Sequence, residues 1–320
     1  YYEASHTVEI TLEAFATGEF TTIIEHIPAD IVLVLDQSGS MQDDMNGTTV
    51  NDAYLYNIRT TLFAKDSAGN LRPVTVTRSG TWSYTYTYSY VHTNGQTISS
   101  TNLNNFTFYN GTTAVRRVDV LKDATARFVD DVYQRAVAND VDHRISMIGF
   151  ASGETNSPAY GNTEILSPLT GTAPIPWSQR NSNNNLRDSL LDVRNHYARL
   201  KTSIGWIEAS GATRTDLGMN MAEAVLTQNP VPADTQRQRV VIMFTDGTPT
   251  MTNTFNTTVA NATIATARTM KNTLGATSFT IGIFNGANPN GTSNENKFMN
   301  YVSSNYPNAQ SMTNPGTGSP

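Results

Sequence analysis

The sequence predicts an α/β protein with a doubly wound, mostly parallel sheet flanked by helices, inserted β-rich arms and a short N-terminal β segment. Residues 31–35 and 240–244 are continuous apolar runs, which are typical of strands covered on both faces. Along the chain, such runs alternate with stretches whose apolar residues recur at helical spacing. This alternation favours a parallel sheet with helices on both of its faces.

The remaining elements follow in chain order from the same two patterns. The first strand covers residues 31–35, but the first long helix is expected only at 113–138. Further strands are expected at 144–150, 164–169, 239–244 and 278–284, and residues 310–313 are a candidate for a last short strand. Further helices are expected at 185–203, 216–226, 255–274 and 295–304.

Oxygen-bearing side chains follow the first strand at alternate positions, as Asp36, Ser38 and Ser40. In open α/β sheets, ligands bind beyond the carboxyl ends of the strands. Carboxylate and hydroxyl oxygens without nearby Cys or His suit a hard divalent cation such as Mg²⁺, Mn²⁺ or Ca²⁺. Two further oxygen donors occur downstream: Thr213 lies in a loop before a predicted helix, and Asp246 ends the strand at 239–244.

In their order, strand context and spacing, these motifs resemble the metal-ion-dependent adhesion site of von Willebrand factor type A domains. The resemblance implies a cation site formed by Asp36, Ser38, Ser40, Thr213 and Asp246. It also implies an open coordination position that a Glu or Asp of a partner protein fills. The expected role is recognition, not catalysis, since no nucleophile–base pair accompanies the motifs. The weaker alternative is that Asp36 and Asp246 only cap loops.

Asp43 and Asp44 follow the first motif after two intervening residues. They resemble an acidic pair that binds a neighbouring Ca²⁺ in integrin β chains, which implies a second, adjacent metal site. The alternative is that both are exposed acids at the start of an insertion, and the sequence leaves the two interpretations open.

Two insertions interrupt the α/β order, at residues 42–112 and 151–184. In the first, residues 82–90 alternate aromatic and hydroxyl side chains after a strand-like run at 74–77 and a turn, which predicts a β-hairpin or small sheet with aromatics on one face. These aromatics either contact a ligand beside the metal site or pack within the arm or on the main domain. We favour packing for most of them. The second insertion is rich in Pro, Gly and Asn and is expected to be a loop or short arm.

The inserted arms narrow the resemblance to the type A domain of pilus-tip and cell-wall adhesins of Gram-positive bacteria. It covers residues 30–313, which are predicted to form one domain with its two insertions. Residues 1–29 are predicted to be a β segment, either separate or part of an immunoglobulin-like stalk domain, and residues 314–320 a tail or linker. A chain that begins at Tyr1 without Met is interpreted as a piece of a longer protein.

The composition fits an extracellular protein. The 320 residues include no Cys, which excludes a disulfide framework and a Cys-based metal site. The net charge of −6 and the lack of a basic stripe argue against nucleic acid. No apolar run approaches the roughly 20 residues that span a membrane. With the resemblance, these observations predict a location on the bacterial cell surface, at the cell wall or pilus tip.

The expected function is a metal-dependent cell-surface adhesin domain without enzyme activity. It is expected to bind an acidic residue of a host or matrix protein through the cation, and other domains of the same pilus or wall protein. The alternative is a structural pilus-tip or cell-wall domain in which the metal stabilises the fold. A third possibility, a subunit of an intracellular metal-insertion or ATP-driven complex, fits poorly with the aromatic arm and the lack of Cys.

Overall fold

The computed structural model describes residues 27–43, 62–66, 70–80, 85–92, 94–102, 106, 108–110, 113–114, 116–152, 162–233, 235–251, 254–284 and 286–320. Its strands are β1 (Ala29–Asp36), β2 (Leu62–Lys65), β3 (Leu71–Pro73), β4 (Thr75–Ser79), β5 (Thr85–Val91), β6 (Thr97–Ser100), β7 (Phe108–Asn110), β8 (Thr113–Ala114), β9 (Arg144–Phe150), β10 (Glu164–Ile165), β11 (Ile175–Pro176), β12 (Leu191–Asp192), β13 (Gln238–Thr245) and β14 (Ala276–Gly282). Its helices are α1 (Arg117–Asn139), α2 (Val193–Ile204), α3 (Thr215–Gln228), α4 (Thr257–Asn272) and α5 (Asn294–Val302). The predicted N-terminal β segment lies almost entirely outside the described residues.

A seven-stranded sheet forms the centre of the molecule, with the order β11–β10–β9–β1–β13–β14 and with β12 also paired to β9. The four strands β9, β1, β13 and β14 run parallel. The short strands β10, β11 and β12 are antiparallel to their neighbours. The predicted mostly parallel sheet is therefore confirmed. Every residue of β1 is buried, as its uninterrupted apolar run predicts.

Helices cover both faces of this sheet. Alternate residues of β1 point to opposite faces, so Val32 and Val34 join one core cluster and Leu33 and Leu35 join another. The first cluster contains side chains of α3, α4 and α5. The second contains side chains of α1 and α2. This two-sided packing is the doubly wound arrangement that the sequence predicts. None of the described helices is both long and apolar enough to span a membrane.

Two predicted helices begin later in the chain than expected. Helix α1 begins at Arg117 rather than 113, because β8 pairs with β7 just before it. Helix α2 begins at Val193 rather than 185, because β12 pairs with β9. The side chain of Asp192 caps α2 by accepting hydrogen bonds from the backbone N–H groups of Arg194 and Asn195 at 2.9 and 3.1 Å. Buried leucines before this cap have helical spacing but belong to a 3₁₀ turn and to β12.

Two predicted strands are also corrected. Strand β10 ends at Ile165 rather than 169, because the Ser167 hydroxyl takes over the hydrogen bond from the Met147 N–H at 2.8 Å, and Pro168 has no N–H to continue the pairing. Residues 310–313 form no strand; Ser311 and Asn314 make an isolated bridge within a local turn.

The first insertion contains two small antiparallel sheets, β3–β2–β7–β8 and β4–β5–β6. The predicted hairpin is confirmed, since β4 pairs antiparallel with β5. On β5, Tyr88 is fully buried, and the Phe106 ring contacts Tyr88 and Tyr90 edge to face at centroid distances of 6.5 and 5.7 Å. These rings form a core of the arm's own with Ala64 and Val74. Packing within the arm, the interpretation that we favour from sequence, therefore describes the aromatics of β5.

Candidate metal centre

The candidate centre lies where β1 and β13 end side by side. Because the two strands are parallel and in register at Leu35 and Phe244, Asp36 lies next to the end of β13. The Thr245 hydroxyl donates to Asp36 Oδ2 at 2.7 Å, and the Asp246 N–H approaches the same oxygen at 3.4 Å. The pairing of two strands thus brings together the two carboxylates that the sequence predicts as a pair.

The turn after β1 adds two hydroxyl groups. The Ser38 N–H donates to Asp36 Oδ1 at 2.8 Å, which fixes the turn. The hydroxyl oxygens of Ser38 and Ser40 then lie 3.1 Å apart. Asp36 and Ser38 are completely buried. The alternate spacing of the motif therefore produces one compact group of oxygen atoms.

A third loop contains Thr213, and hydrogen bonds connect this loop to the loops that follow β1 and β13. The Gly39 N–H donates to the Gly211 carbonyl at 2.8 Å. A side chain at Gly39 would place its Cβ only 3.3 Å from that carbonyl oxygen, so the close approach favours glycine. On the other side, the Thr213 N–H donates to Thr250 Oγ1 at 3.1 Å, and the Thr250 N–H donates to the Thr213 carbonyl at 3.0 Å.

The three loops line one side of a cavity of about 750 Å³. Ser40, Thr213 and Asp246 line this cavity directly, whereas Asp36 and Ser38 lie beneath it and are buried. The structure therefore brings all five predicted residues to one place in two layers.

The electrostatics of the centre favour a cation. Burial raises the pKa of Asp36 to about 7, and the Asp246 carboxylate adds to this rise against hydrogen bonds from Ser38 and Thr245. Burial also raises the pKa of Asp246, against a hydrogen bond from Ser40 and the charge of Arg117. Two buried carboxylates side by side repel each other unless positive charge lies between them.

Arg117 is the positive group at the centre, and sequence reasoning missed it because it lies at the start of a helix far along the chain. Its Nη1 atom lies 3.4 Å from Asp246 Oδ2 and 3.7 Å from Asp43 Oδ2. The guanidinium contacts Asp43 and Asp246, and Asp36 adds a third carboxylate beside Asp246, so among the described residues of the centre the negative charges outnumber the positive one. This excess of negative charge fits a divalent cation.

The donor chemistry points to a hard cation. Among the described residues, no three His, Cys, Asp or Glu side chains are grouped as a metal site. The candidate set has only two carboxylates, and its remaining donors are the hydroxyls of Ser38, Ser40 and Thr213. Oxygen donors of this kind suit Mg²⁺, Mn²⁺ or Ca²⁺, which keep several waters or carbonyl oxygens as further ligands. The residues that are present therefore fit such an ion.

Asp43, one of the two residues predicted for a second cation site, lines the same cavity. Its backbone carbonyl accepts a hydrogen bond from the Arg117 N–H at 2.9 Å. Asp44 lies outside the described residues, so the second site stays a prediction.

No protein-family model matches the chain, and no curated protein matches its sequence. The chain is similar to several solved structures. The PilB minor pilin from Streptococcus sanguinis is 11% identical with a TM-score of 0.45, over 86% of this chain and 54% of that one. The pilus adhesin SpaC from Lactobacillus rhamnosus GG is 14% identical with a TM-score of 0.43, over 91% and 28%. The vWF domain of the type V pili tip protein Mfa5 from Porphyromonas gingivalis is 12% identical with a TM-score of 0.42, over 87% of each.

Solved structures similar to this chain thus include pilus adhesins and domains of the von Willebrand factor type A kind. The chain spans 54% of the length of the PilB minor pilin and 28% of the length of SpaC.

Proposed function

We propose that this chain is a metal-dependent adhesion domain that binds an acidic residue of an extracellular host or matrix protein. The observation that carries the proposal is the grouping of three hydroxyls and two buried carboxylates at the ends of β1 and β13, beside a cavity of about 750 Å³. The residues that would hold the cation are Asp36, Ser38, Ser40, Thr213 and Asp246. A bound Mg²⁺, Mn²⁺ or Ca²⁺ would supply positive charge and an open position for the incoming carboxylate.

The protein's own residues prepare this site in two ways. The Thr245 hydroxyl and the Ser38 N–H each donate to a different oxygen of Asp36, which fixes the orientation of the carboxylate. The hydroxyl donors are neutral, so they bind a cation without cancelling its charge. A cation that keeps part of its charge attracts an external carboxylate, which is the property that adhesion requires.

The proposal extends to location and further partners. We propose that the domain acts on the bacterial cell surface, at the cell wall or pilus tip, beside other domains of the same pilus or wall protein. The lack of Cys and the resemblance of the motifs to those of surface adhesins support this location.

Calorimetric titration with Mg²⁺, Mn²⁺ and Ca²⁺ tests the metal site, using the wild type, Asp36→Ala and the exposed control Asp131→Ala. We expect Asp36→Ala to lose cation binding while its circular dichroism and that of the control stay as in the wild type. Binding to immobilised matrix proteins, with and without chelator, then tests adhesion. Full chelator-sensitive binding by Asp36→Ala contradicts the proposal.

A second candidate function is a structural wall or pilus domain in which the cation only stabilises the fold. The complete burial of Asp36 and the near-complete burial of Asp246 favour it, because two repelling buried carboxylates would be stabilised by any bound cation. Cation binding that raises the melting temperature, without a chelator-sensitive protein partner, would support this candidate.

A further inference from the structure

The cavity beside the candidate metal centre carries opposite charges on two sides. Arg117 reaches it from α1, which packs on one face of the central sheet. Glu295 reaches it from the first turn of α5, which packs on the other face. The positive and negative sides therefore belong to different layers of the fold, with the ends of β1 and β13 between them.

Arg117 is held in the cavity wall but is poorly engaged there. It is 9% exposed, and its Nη1 lies 3.3 Å from the Ser40 carbonyl and 3.4 Å from Asp246 Oδ2, both long for charged hydrogen bonds. Its buried Nε has no hydrogen-bond partner. A guanidinium in this state can still bind an acceptor that enters the cavity.

Glu295 forms the other side and lies close to the candidate metal loop. Gly247 has a φ of 81°, and a Cβ placed there would lie 3.2 Å from the Glu295 Cβ. No Lys or Arg in the described part of the chain forms an ion pair with Glu295. Glu295 is half-buried and lines the cavity, and within the described part of the chain no basic side chain neutralises its charge.

The total charge of the site favours a ligand that brings a positive group as well as a negative one. The carboxylates of Asp36, Asp43, Asp246 and Glu295 outnumber the charges of Arg117 and one divalent cation by one. A ligand with a single carboxylate adds to this excess, whereas a neighbouring basic group offsets it. A volume of about 750 Å³ is also far larger than one carboxylate needs and is within the range of pockets that hold drug-sized ligands.

We propose that the cavity selects a peptide segment in which an acidic and a basic side chain lie close together. The acidic group binds at the cation and on the Arg117 side, and the basic group binds on the Glu295 side. This inference rests on the proposed function and identifies the class of ligand that the same site takes.

Paramagnetic broadening by protein-bound Mn²⁺ tests the inference, with blocked tripeptides as probes. The probes are acetyl-Asp-Gly-Lys-amide and acetyl-Lys-Gly-Asp-amide, each compared with its counterpart in which Gln replaces Lys. We expect the wild type to broaden the Asp β-proton signals of at least one Lys peptide at a peptide concentration about threefold lower than its Gln counterpart requires. A difference of this size is what a solvent-accessible ion pair contributes. The preference should disappear in 0.5 M NaCl, because salt screens it.

Glu295→Gln should bring both peptides of a pair to the same affinity, and Glu295→Lys should favour the Gln peptide. The exposed variant Asp131→Asn is the control and should keep the wild-type preference. Mn²⁺ affinity, measured without peptide, checks that the variants retain the site. Two results, each with Mn²⁺ bound, would overturn this inference alone. One is the same preference for the Lys peptide in the wild type and in Glu295→Gln, and the other is no preference in the wild type at low salt. Failure of the wild type to bind Mn²⁺ overturns the proposed function and this inference with it.

Discussion

At the scale of single residues, Asp36 combines complete burial with a neighbouring carboxylate. Its pKa is raised to about 7, mainly by burial and then by Asp246. The folded protein therefore binds a proton on Asp36 more tightly than the unfolded chain does. In the unfolded chain, the pKa of an Asp side chain is close to 4. Stability from this group is fully present below pH 4 and is lost as the pH rises through 7.

We expect the cation-free protein to lose roughly 2 to 4 kcal/mol of unfolding free energy between pH 4 and pH 7 through this group. Asp36→Asn should reduce that slope, because its side chain does not ionise, and Mg²⁺ should stabilise the wild type at pH 7 but not the variant. Urea unfolding at several pH values, in chelator and then in Mg²⁺, measures both effects. Equal pH slopes for wild type and variant would show that Asp36 is not the group responsible.

Thr250 positions the loop that contains Thr213, and its hydroxyl accepts the Thr213 N–H. Thr250→Val keeps the shape but leaves that buried N–H without an acceptor, so the loop should lose its fixed position. We expect cation affinity to fall by about tenfold, the usual effect of removing a group that orients a ligand. Calorimetry with Mn²⁺ checks this, and Thr250→Ser, which keeps the hydroxyl, should bind nearly as the wild type does. Equal affinity in Thr250→Val would rule out the positioning role.

At the scale of elements, Lys271 connects the end of α4 to the end of α5. Its Nζ donates to the carbonyls of Ser303 at 2.8 Å and Tyr306 at 2.9 Å, with longer contacts to two more. The carbonyls of Tyr301, Val302 and Ser303 lie at the C-terminal end of α5, where a helix leaves its last carbonyls without intrahelical partners, and Tyr306 follows in the next turn. Burial lowers the pKa of Lys271 to about 8, so desolvation offsets part of this gain.

Lys271→Met should remove about 1 to 3 kcal/mol of unfolding free energy, because the carbonyls lose a donor in a partly buried place. Chemical denaturation measures the change, and the exposed Lys297→Met serves as the matched control. If both variants lose the same small amount, the contacts of Lys271 do not stabilise the end of α5.

Some elements of this fold are predictable from the local sequence and others are not, for physical reasons. Helices α3, α4 and α5 and the long parallel strands lie within about two residues of their predicted bounds, because their apolar patterns are clear in the local sequence. Strand β14 lies at the edge of the sheet, where Phe279 and Ile281 are exposed. The starts of α1 and α2 were wrong because β8 and β12 exist only through pairing with distant strands. Such pairing leaves no periodicity in the local sequence.

In the candidate site, too, some residues are predictable from the sequence and others are not. Asp36 and Asp246 were predictable as neighbours, since each ends a parallel strand and such ends meet at one edge of the sheet. Arg117, Thr250 and Glu295 were not predicted, although all three line the cavity. They come from the start of α1, a loop after β13 and the start of α5, and only tertiary packing brings them together.

At the scale of the whole molecule, the first insertion has a hydrophobic core separate from the two that enclose the central sheet. Arg116 links the insertion to α1: it is completely buried, forms an ion pair with Asp119 at 2.7 Å and donates to the Phe106 carbonyl. The arm and the α/β domain therefore bury their own apolar residues independently, and such units can open independently.

Tyr88→Ala should open the arm while leaving the central sheet folded. The substitution removes a fully buried ring from the arm's core and should destabilise that core by about 3 kcal/mol or more. Hydrogen exchange measured by mass spectrometry should show faster exchange in β4–β6 and unchanged protection in β1, β9 and β13. Phe298→Ala, which removes a ring from the core of the central sheet, is the matched control and should lower protection in the sheet itself. Loss of protection throughout the chain in Tyr88→Ala would mean that the arm and the sheet unfold together, and the arm would then contribute to the stability of the whole domain.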